Sequence, residues 1–240
     1  MPDVSSPELR AAGPAPDGTA RTPGVIAPSA LTRALMVALG LVPLAHLLAV
    51  VAAALWVPAG PATRAFVAVA VLYLLPPLAA RAGALVRPLP RGEVDLDDPG
   101  FLAWWFSAQW QVVFNRLRFL EEALRLLPGA YSAWLRLWGA DVGSLVYWSP
   151  GVELLDRSLL EVGDRVVLGA GVRAAGHVLL PGPDGRARLL VGPVKIGCGA
   201  LVGAYSVLTP GVEIREGSIS PPLRLLRSSR EALRGEGEDR

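Results

Sequence analysis

Thiols, lysines and histidines are scarce in this chain, and each scarcity closes off a class of function. One cysteine, Cys198, stands among 240 residues. It cannot form an internal disulfide or a thiolate zinc cluster, and it fits a reducing compartment. Lys195 is the sole lysine. With 23 basic and 21 acidic side chains the formal net charge is only +2, too small for a nucleic-acid footprint, so no nucleic-acid partner is expected. Two histidines, His46 and His177, are present, one fewer than a three-histidine zinc site needs within one chain. No secretory signal is read in the first thirty residues. They are polar and rich in Pro, Ala and Gly, a composition that buries too little apolar surface to order itself, so 1–30 is predicted as a disordered tail.

What is abundant is apolar surface. Hydrophobic residues make up 52% of the chain and the mean hydropathy is +0.43, so some segments are expected to face lipid. Ala34 to Val57 carries no formal charge, and a bilayer core takes about 20 such residues as a helix. A second run, Ala65 to Val86, contains Pro76, Pro77 and Arg81. The prolines remove helix donors, and the arginine can snorkel to an interface. The short link between the runs predicts a transmembrane hairpin over 31–90, with a re-entrant or interfacial second helix as the alternative. Arg33, Arg87 and Arg91 flank its two ends, which places both termini and the following domain on the cytoplasmic side of a cell inner membrane. His46 lies inside the first run and is read as a packing residue.

A helical linker is predicted over 91–140. Asp98-Pro99-Gly100 reads as a helix start, and Pro128-Gly129 as its stop. Trp104, Trp105, Phe106 and Trp110 lie on this helix with Arg116, Arg118 and Arg125. That mixture suits a membrane surface or a packed protein interface. A shorter helix is expected over Ala130 to Leu137.

From Val142 aliphatic residues recur every six positions, often followed by a small residue. One run is Val162-Gly163, Leu168-Gly169, Ala174-Ala175; another is Ile196-Gly197, Val202-Gly203, Leu208-Thr209, Ile214-Arg215. A weaker run precedes them at Val142, Trp148 and Leu154. Six is the period of a coil with three flat faces, whose aliphatics point inward and stack on those of the next coil. About four such coils fill 141–219, and 220–240 is left as a C-terminal helix or tail. So short a prism exposes much surface, and a homotrimer is expected.

Leu160-Glu161-Val162-Gly163-Asp164-Arg165-Val166-Val167-Leu168-Gly169 resembles the opening coil of left-handed β-helix acyltransferases. Pro193-Val194-Lys195-Ile196-Gly197, followed by Thr209-Pro210-Gly211-Val212, is similar to late coils of the maltose and colanic-acid-type O-acetyltransferases. The resemblance covers about a third of the chain. It implies a left-handed parallel β-helix and transfer of an acyl group from acyl-CoA, most simply acetyl-CoA, with no metal. In that family a histidine at the start of a loop excursion, just before such a Pro-Val-Lys-Ile-Gly coil, is the general base. His177 holds that place, ahead of the turn signal Asp184-Gly185. Base catalysis needs a group of near-neutral pKa, and His177 is the only histidine outside the hairpin. Asp184, Glu153 and Asp156 are the candidate acids to orient it. The resemblance would lay the pantetheine arm of the donor along Gly203 and Ala204, between adjacent prisms. Arg215, Arg224 or Arg227 would meet its phosphates.

These features predict a membrane-anchored acyltransferase acting on a hydroxyl or amine of a sugar-like or lipid-linked acceptor. A γ-type carbonic anhydrase shares the prism but lacks its three histidines here, and no nucleotide-binding α/β domain precedes the repeat. The remaining alternative is a non-catalytic trimeric scaffold on the same β-helix.

Overall fold

The computed structural model describes residues 28–181 and 186–228. It opens on a helical hairpin. Helix α1 (Ala30–Leu39) starts where Ser29 accepts a hydrogen bond from the Thr32 amide. Asp97 Oδ1 takes the Thr32 hydroxyl at 2.7 Å and the Ser29 amide at 2.8 Å. These bonds, that from Thr32 foremost, hold the Asp97 carboxyl below its ordinary range. Helix α2 (Val42–Trp56) follows a break at Gly40-Leu41. Pro43 sits in its first turn, where a missing N–H costs nothing but the helix before it cannot continue. The first apolar run is thus two helices, beginning four residues earlier than predicted. Helix α3 (Pro61–Val86) runs unbroken through Pro76 and Pro77. Pro77 offers no donor to the carbonyl of Tyr73 four residues back. The Trp134 indole N–H fills that vacancy at 2.8 Å, so the helix tolerates the proline by borrowing a bond from another element. The stretches Ala30–Trp56 and Pro61–Val86 are long and apolar enough to cross a membrane. His46 is buried between α2 and α3, with Nε2 3.3 Å from the Val71 carbonyl.

A strand, β1 (Gly92–Asp95), comes next, where a helical linker was predicted. Helix α4 (Pro99–Arg116) is capped by the Asp98 side chain, which accepts from the Gly100 amide. A turn at Leu117-Arg118 divides it from α5 (Phe119–Arg125), so the long predicted helix is two. Helix α6 (Ala130–Leu137) starts after Gly129, which adopts the left-handed conformation.

The rest is a three-faced parallel prism. Coil one is β2 (Asp141–Val142), β3 (Tyr147–Trp148) and β4 (Glu153–Leu154). Coil two is β5 (Leu160–Val162), β6 (Val167–Leu168) and β7 (Arg173–Ala174). An antiparallel arm, β8 (His177–Pro181) and β9 (Ala187–Val191), then leaves the prism. Coil three is β10 (Val194–Ile196), β11 (Leu201–Val202) and β12 (Val207–Leu208). Coil four is β13 (Glu213–Ile214), β14 (Ile219–Ser220) and β15 (Leu225–Leu226). The first face is β2, β5, β10 and β13; the second is β3, β6, β11 and β14; the third is β4, β7, β12 and β15. This arrangement fits a left-handed β-helix. The fourth coil reaches Leu226, so residues 220–228 of the stretch predicted as helix or tail are coil and strand.

The hexad residues do point inward: Val162, Leu168, Ile196, Val202 and Leu208 are all buried. Their glycine partners serve space rather than backbone freedom. A Cβ on Gly163 would lie 2.6 Å from the Cys198 amide nitrogen, and one on Gly169 2.5 Å from that of Ala204. Left-handed backbone falls instead three residues after the inward residue, at Leu145, Gly151, Arg165, Gly171, Gly199, Tyr205, Gly211, Gly217 and Leu223. Two corners break this rule, those after β4 and after β7. The inward residues Leu154 and Val162 are eight apart, not six, and Ala174 and Ile196 are 22 apart. Both insertions fall at the corner between the third and first faces.

Tyr131, Trp134 and Leu135 of α6, with Trp138 at its C-cap, pack onto the prism core and close its first coil. A second apolar cluster joins the arm to the linker. Leu189 and Val191 of β9 pack with Val94, Phe101 and Trp104, and β1 pairs with β9.

Candidate active site

The two irregular corners stack on each other, because Leu154 and Ala174 are in register between β4 and β7. The first insertion folds into a single 3-10 turn, Arg157–Leu159, and turns Asp156 inward. The second begins the arm with Gly176 and His177. The Asp156 carboxylate therefore meets the start of the arm. Its Oδ2 accepts the Gly176 amide at 2.8 Å and lies 2.6 Å from His177 Nδ1. Its Oδ1 accepts the Trp104 indole N–H at 3.0 Å. The carboxylate side chain is 3% exposed and that of His177 28%.

The carboxylate already accepts the Gly176 amide and the Trp104 indole N–H, and an N–H on the imidazole nitrogen facing it is the arrangement that makes the 2.6 Å contact a hydrogen bond. The lone pair is then on Nε2. The Trp104 ring packs on the imidazole with centroids 4.6 Å apart, which fixes the ring from its face. One histidine nitrogen is held, the other is left for chemistry, and the ring cannot turn without breaking a buried bond.

Asp156 is itself set by its neighbour. Arg157 is fully buried beneath α4. Its backbone N–H donates to Gln111 Oε1 at 2.8 Å, and its Nη1 to Gln111 Oε1 at 3.0 Å and Asn115 Oδ1 at 2.9 Å. Its Nη2 pairs with Glu121 Oε1. Glu121 Oε2 accepts the Tyr131 hydroxyl at 2.5 Å and Arg125 Nη2 at 3.3 Å. Burial, together with the Glu121 charge, pushes the Tyr131 phenol well above its usual range, so it remains a neutral donor. Arg125 Nη2 also donates to the Val152 carbonyl at 2.8 Å. Helices α4, α5 and α6 are thus bolted to the corner that carries Asp156.

Of the acids predicted as partners for His177 that lie among the described residues, Asp156 is the one beside it. Glu153 pairs instead with Arg118 and Arg173, and Asp184 lies outside the described residues. Trp104 was read only as a lipid-facing or packing aromatic; nothing in the hexad pattern signals that α4 crosses this corner. The predicted donor residues lie elsewhere on the prism. Gly203 and Ala204 form the corner between the second and third faces. Arg224 is exposed near that corner, where its amide donates to Ser206 Oγ at 3.2 Å. Arg215 borders a recess of about 510 Å³ along the charged first face, with Asp141, Glu161, Lys195 and Glu213. There Lys195 lies 3.1 Å from Glu213, whose hydrogen bond, with the charge of Glu161, raises the ammonium's pKa. Within one chain none of these donor residues adjoins His177.

No protein-family model matches the chain, and no curated protein does. Among solved structures it is similar to a galactoside acetyltransferase in complex with coenzyme A, at 19% identity and a TM-score of 0.32, over 45% of this chain and 68% of that one. It is also similar to a maltose O-acetyltransferase from Clostridium difficile 630, at 21% identity and a TM-score of 0.30, over 46% and 80%. A hexapeptide-repeat-containing acetyltransferase from Vibrio cholerae matches at 15% identity and a TM-score of 0.22, over 48% and 89%. Likeness at this level assigns no activity by itself.

Proposed function

We propose that this protein is a membrane-anchored acyltransferase in which the His177–Asp156 pair is the general base. The observation that carries the reading is the 2.6 Å contact between His177 Nδ1 and the buried Asp156 carboxylate, itself held by Gly176 and Trp104. A histidine that merely packed the loop would not require a desolvated carboxylate with three donors.

In the proposed reaction Nε2 takes the proton of an acceptor hydroxyl or amine as that atom attacks the thioester carbonyl of an acyl-CoA, most simply acetyl-CoA. A new C–O or C–N bond forms and the C–S bond breaks. The imidazolium returns its proton to the departing thiolate. Asp156 stabilises the imidazolium while it exists. The acceptor is a sugar-like or lipid-linked molecule, and the hydrophobic hairpin holds the prism beside it.

The donor site is completed by a second copy of the chain. The second face turns Tyr147, Leu201 and Ile219 outward, exposed and in register. Packed in a homotrimer, this apolar face would bring the two corners that bound it, with Gly203 and Ala204 on one and Arg215 on the other, against neighbouring copies. The test is thiol release from acetyl-CoA by membranes containing the overexpressed protein and its native acceptors. His177→Ala should lower the rate by about 10²-fold or more, the range of a positioned base, and stay folded by circular dichroism. A folded His177→Ala protein with full activity would remove the base from the mechanism.

A further inference from the structure

Helix α4 has two faces, and what they touch bears on how the hairpin meets lipid. Trp104, Gln111 and Asn115, at spacings of seven and four, lie on one face and bond the prism corner. The opposite face carries Trp105, Phe106 and Trp110. The Trp105 indole N–H donates to the Met36 carbonyl of α1 at 3.2 Å. The Phe106 ring lies 2.5 Å from where a Cβ on Gly83 of α3 would be. Trp110 packs on His46 of α2 with centroids 6.1 Å apart. So α4 is sandwiched lengthwise between hairpin and prism, and the hairpin lies alongside the polar body rather than beyond it.

The levels along α3 can be read off. Tyr73 donates its hydroxyl to the Leu120 carbonyl at 2.9 Å. Tyr73 is thirteen residues from the end of α3 at Val86, about 20 Å along the helix axis at 1.5 Å per residue. Flanking Leu120 are Arg118 and Glu122, whose side chains are 64% and 41% exposed. A hairpin standing upright with Val86 at the membrane surface would sink these charges near the middle of a hydrocarbon core about 30 Å thick. The part of α2 beyond His46, Leu47 to Trp56, is ten residues, or about 15 Å. That is half the core and too short to cross it.

The outer surface of the hairpin is nevertheless made for lipid. Leu31, Leu41, Leu44, Leu74 and Leu78 are exposed along the side away from α4, and Trp56 and Phe66 at the tip. Arg33, Arg87 and Arg91 are exposed where its ends meet the body, the place for cations facing lipid headgroups.

We propose that the hairpin is a monotopic anchor: its outer face and tip enter one leaflet of a bilayer and do not emerge on the other side, so the prism lies against that membrane surface. The contact chain Met36–Trp105–Trp104–His177 then sets the catalytic corner beside the lipid headgroups, where an acceptor can be presented from the bilayer. The monotopic anchor takes from the proposed function that the hairpin meets lipid, and the role given to the corner rests on that reading as well.

The test uses the full chain in a Cys198→Ser background. One added cysteine replaces Ala59 or Ala62 at the hairpin turn, and another, separately, replaces the exposed Glu216 on the prism. Sealed vesicles of both orientations are treated with a membrane-impermeant maleimide. The turn cysteine should react from the same side as that at Glu216, or from neither side until detergent is added. Reaction at the turn only from the side opposite to Glu216 would overturn the monotopic anchor. Release of the wild-type chain from membranes by alkaline carbonate would overturn lipid anchoring itself, and leave the His177–Asp156 chemistry to be judged separately.

Discussion

At the scale of single residues the account turns on one carboxylate. Asp156 accepts from His177, Gly176 and Trp104 while almost wholly buried. Asparagine in its place keeps the size but not the charge that stabilises the imidazolium. Asp156→Asn should therefore lower acyl transfer by about 10²-fold, the lower end of what positioned acid–base groups contribute. Acetyl-CoA binding should be unchanged, because the predicted donor residues are remote from it. Loss of donor binding without loss of turnover would assign Asp156 the wrong task. His177 was legible in the sequence from its place ahead of a broken period. Its partner was not, since nothing in the sequence chose among Asp184, Glu153 and Asp156. The choice follows from stacking: Leu154 and Ala174 align, so the residues just past them meet, and two residues past Leu154 is Asp156. The eight-residue step from Leu154 to Val162 was the available signal. Trp104 had none, because its role depends on where a helix packs.

At the scale of elements the helices are joined to the prism by charge as much as by apolar contact. Arg157 and Glu121 are 1% and 5% exposed, and their network spans α4, α5, α6 and the corner beside Asp156. Removing one member of such a buried pair strands the other, which costs about 3–5 kcal/mol. Arg157→Met should lose that much stability in urea unfolding of the detergent-solubilised protein. The double variant Arg157→Met with Glu121→Leu should recover most of it. A loss in the double variant equal to the sum of the two single losses would show that the pair is not coupled. Helix ends were readable: Asp98 with Pro99 opens α4, and Gly129 precedes α6. The break at Leu117 and the strand β1 were not. β1 exists because β9, about a hundred residues later, offers it an edge, and no local pattern encodes that pairing. The aromatics of α4 were read equally as lipid-facing or packing, and they pack on both sides.

At the scale of the whole molecule the six-residue period specified the prism, its inward residues and its four coils. It failed where Ser220 replaces an aliphatic, which is why the last coil was expected to end early. The three outer faces differ: charged on the first, apolar on the second, mixed on the third. The proposed trimer buries the second face. Arginine at both Leu201 and Ile219 should convert a trimer to a monomer by light scattering in detergent, without loss of β structure. A variant that remains trimeric would move the interface elsewhere, and a monomeric wild type would exclude a donor groove between copies.

The central claim is that this prism binds an acyl-CoA and uses His177 to deprotonate the acceptor that attacks it. The most direct measurement is calorimetric titration of acetyl-CoA into the purified wild type and into His177→Ala. The account predicts saturable binding to both with closely similar Kd, because the base acts on the acceptor and not on the donor. Absence of binding in both, with longer acyl chains also inert, would contradict the acyltransferase reading and leave a scaffold.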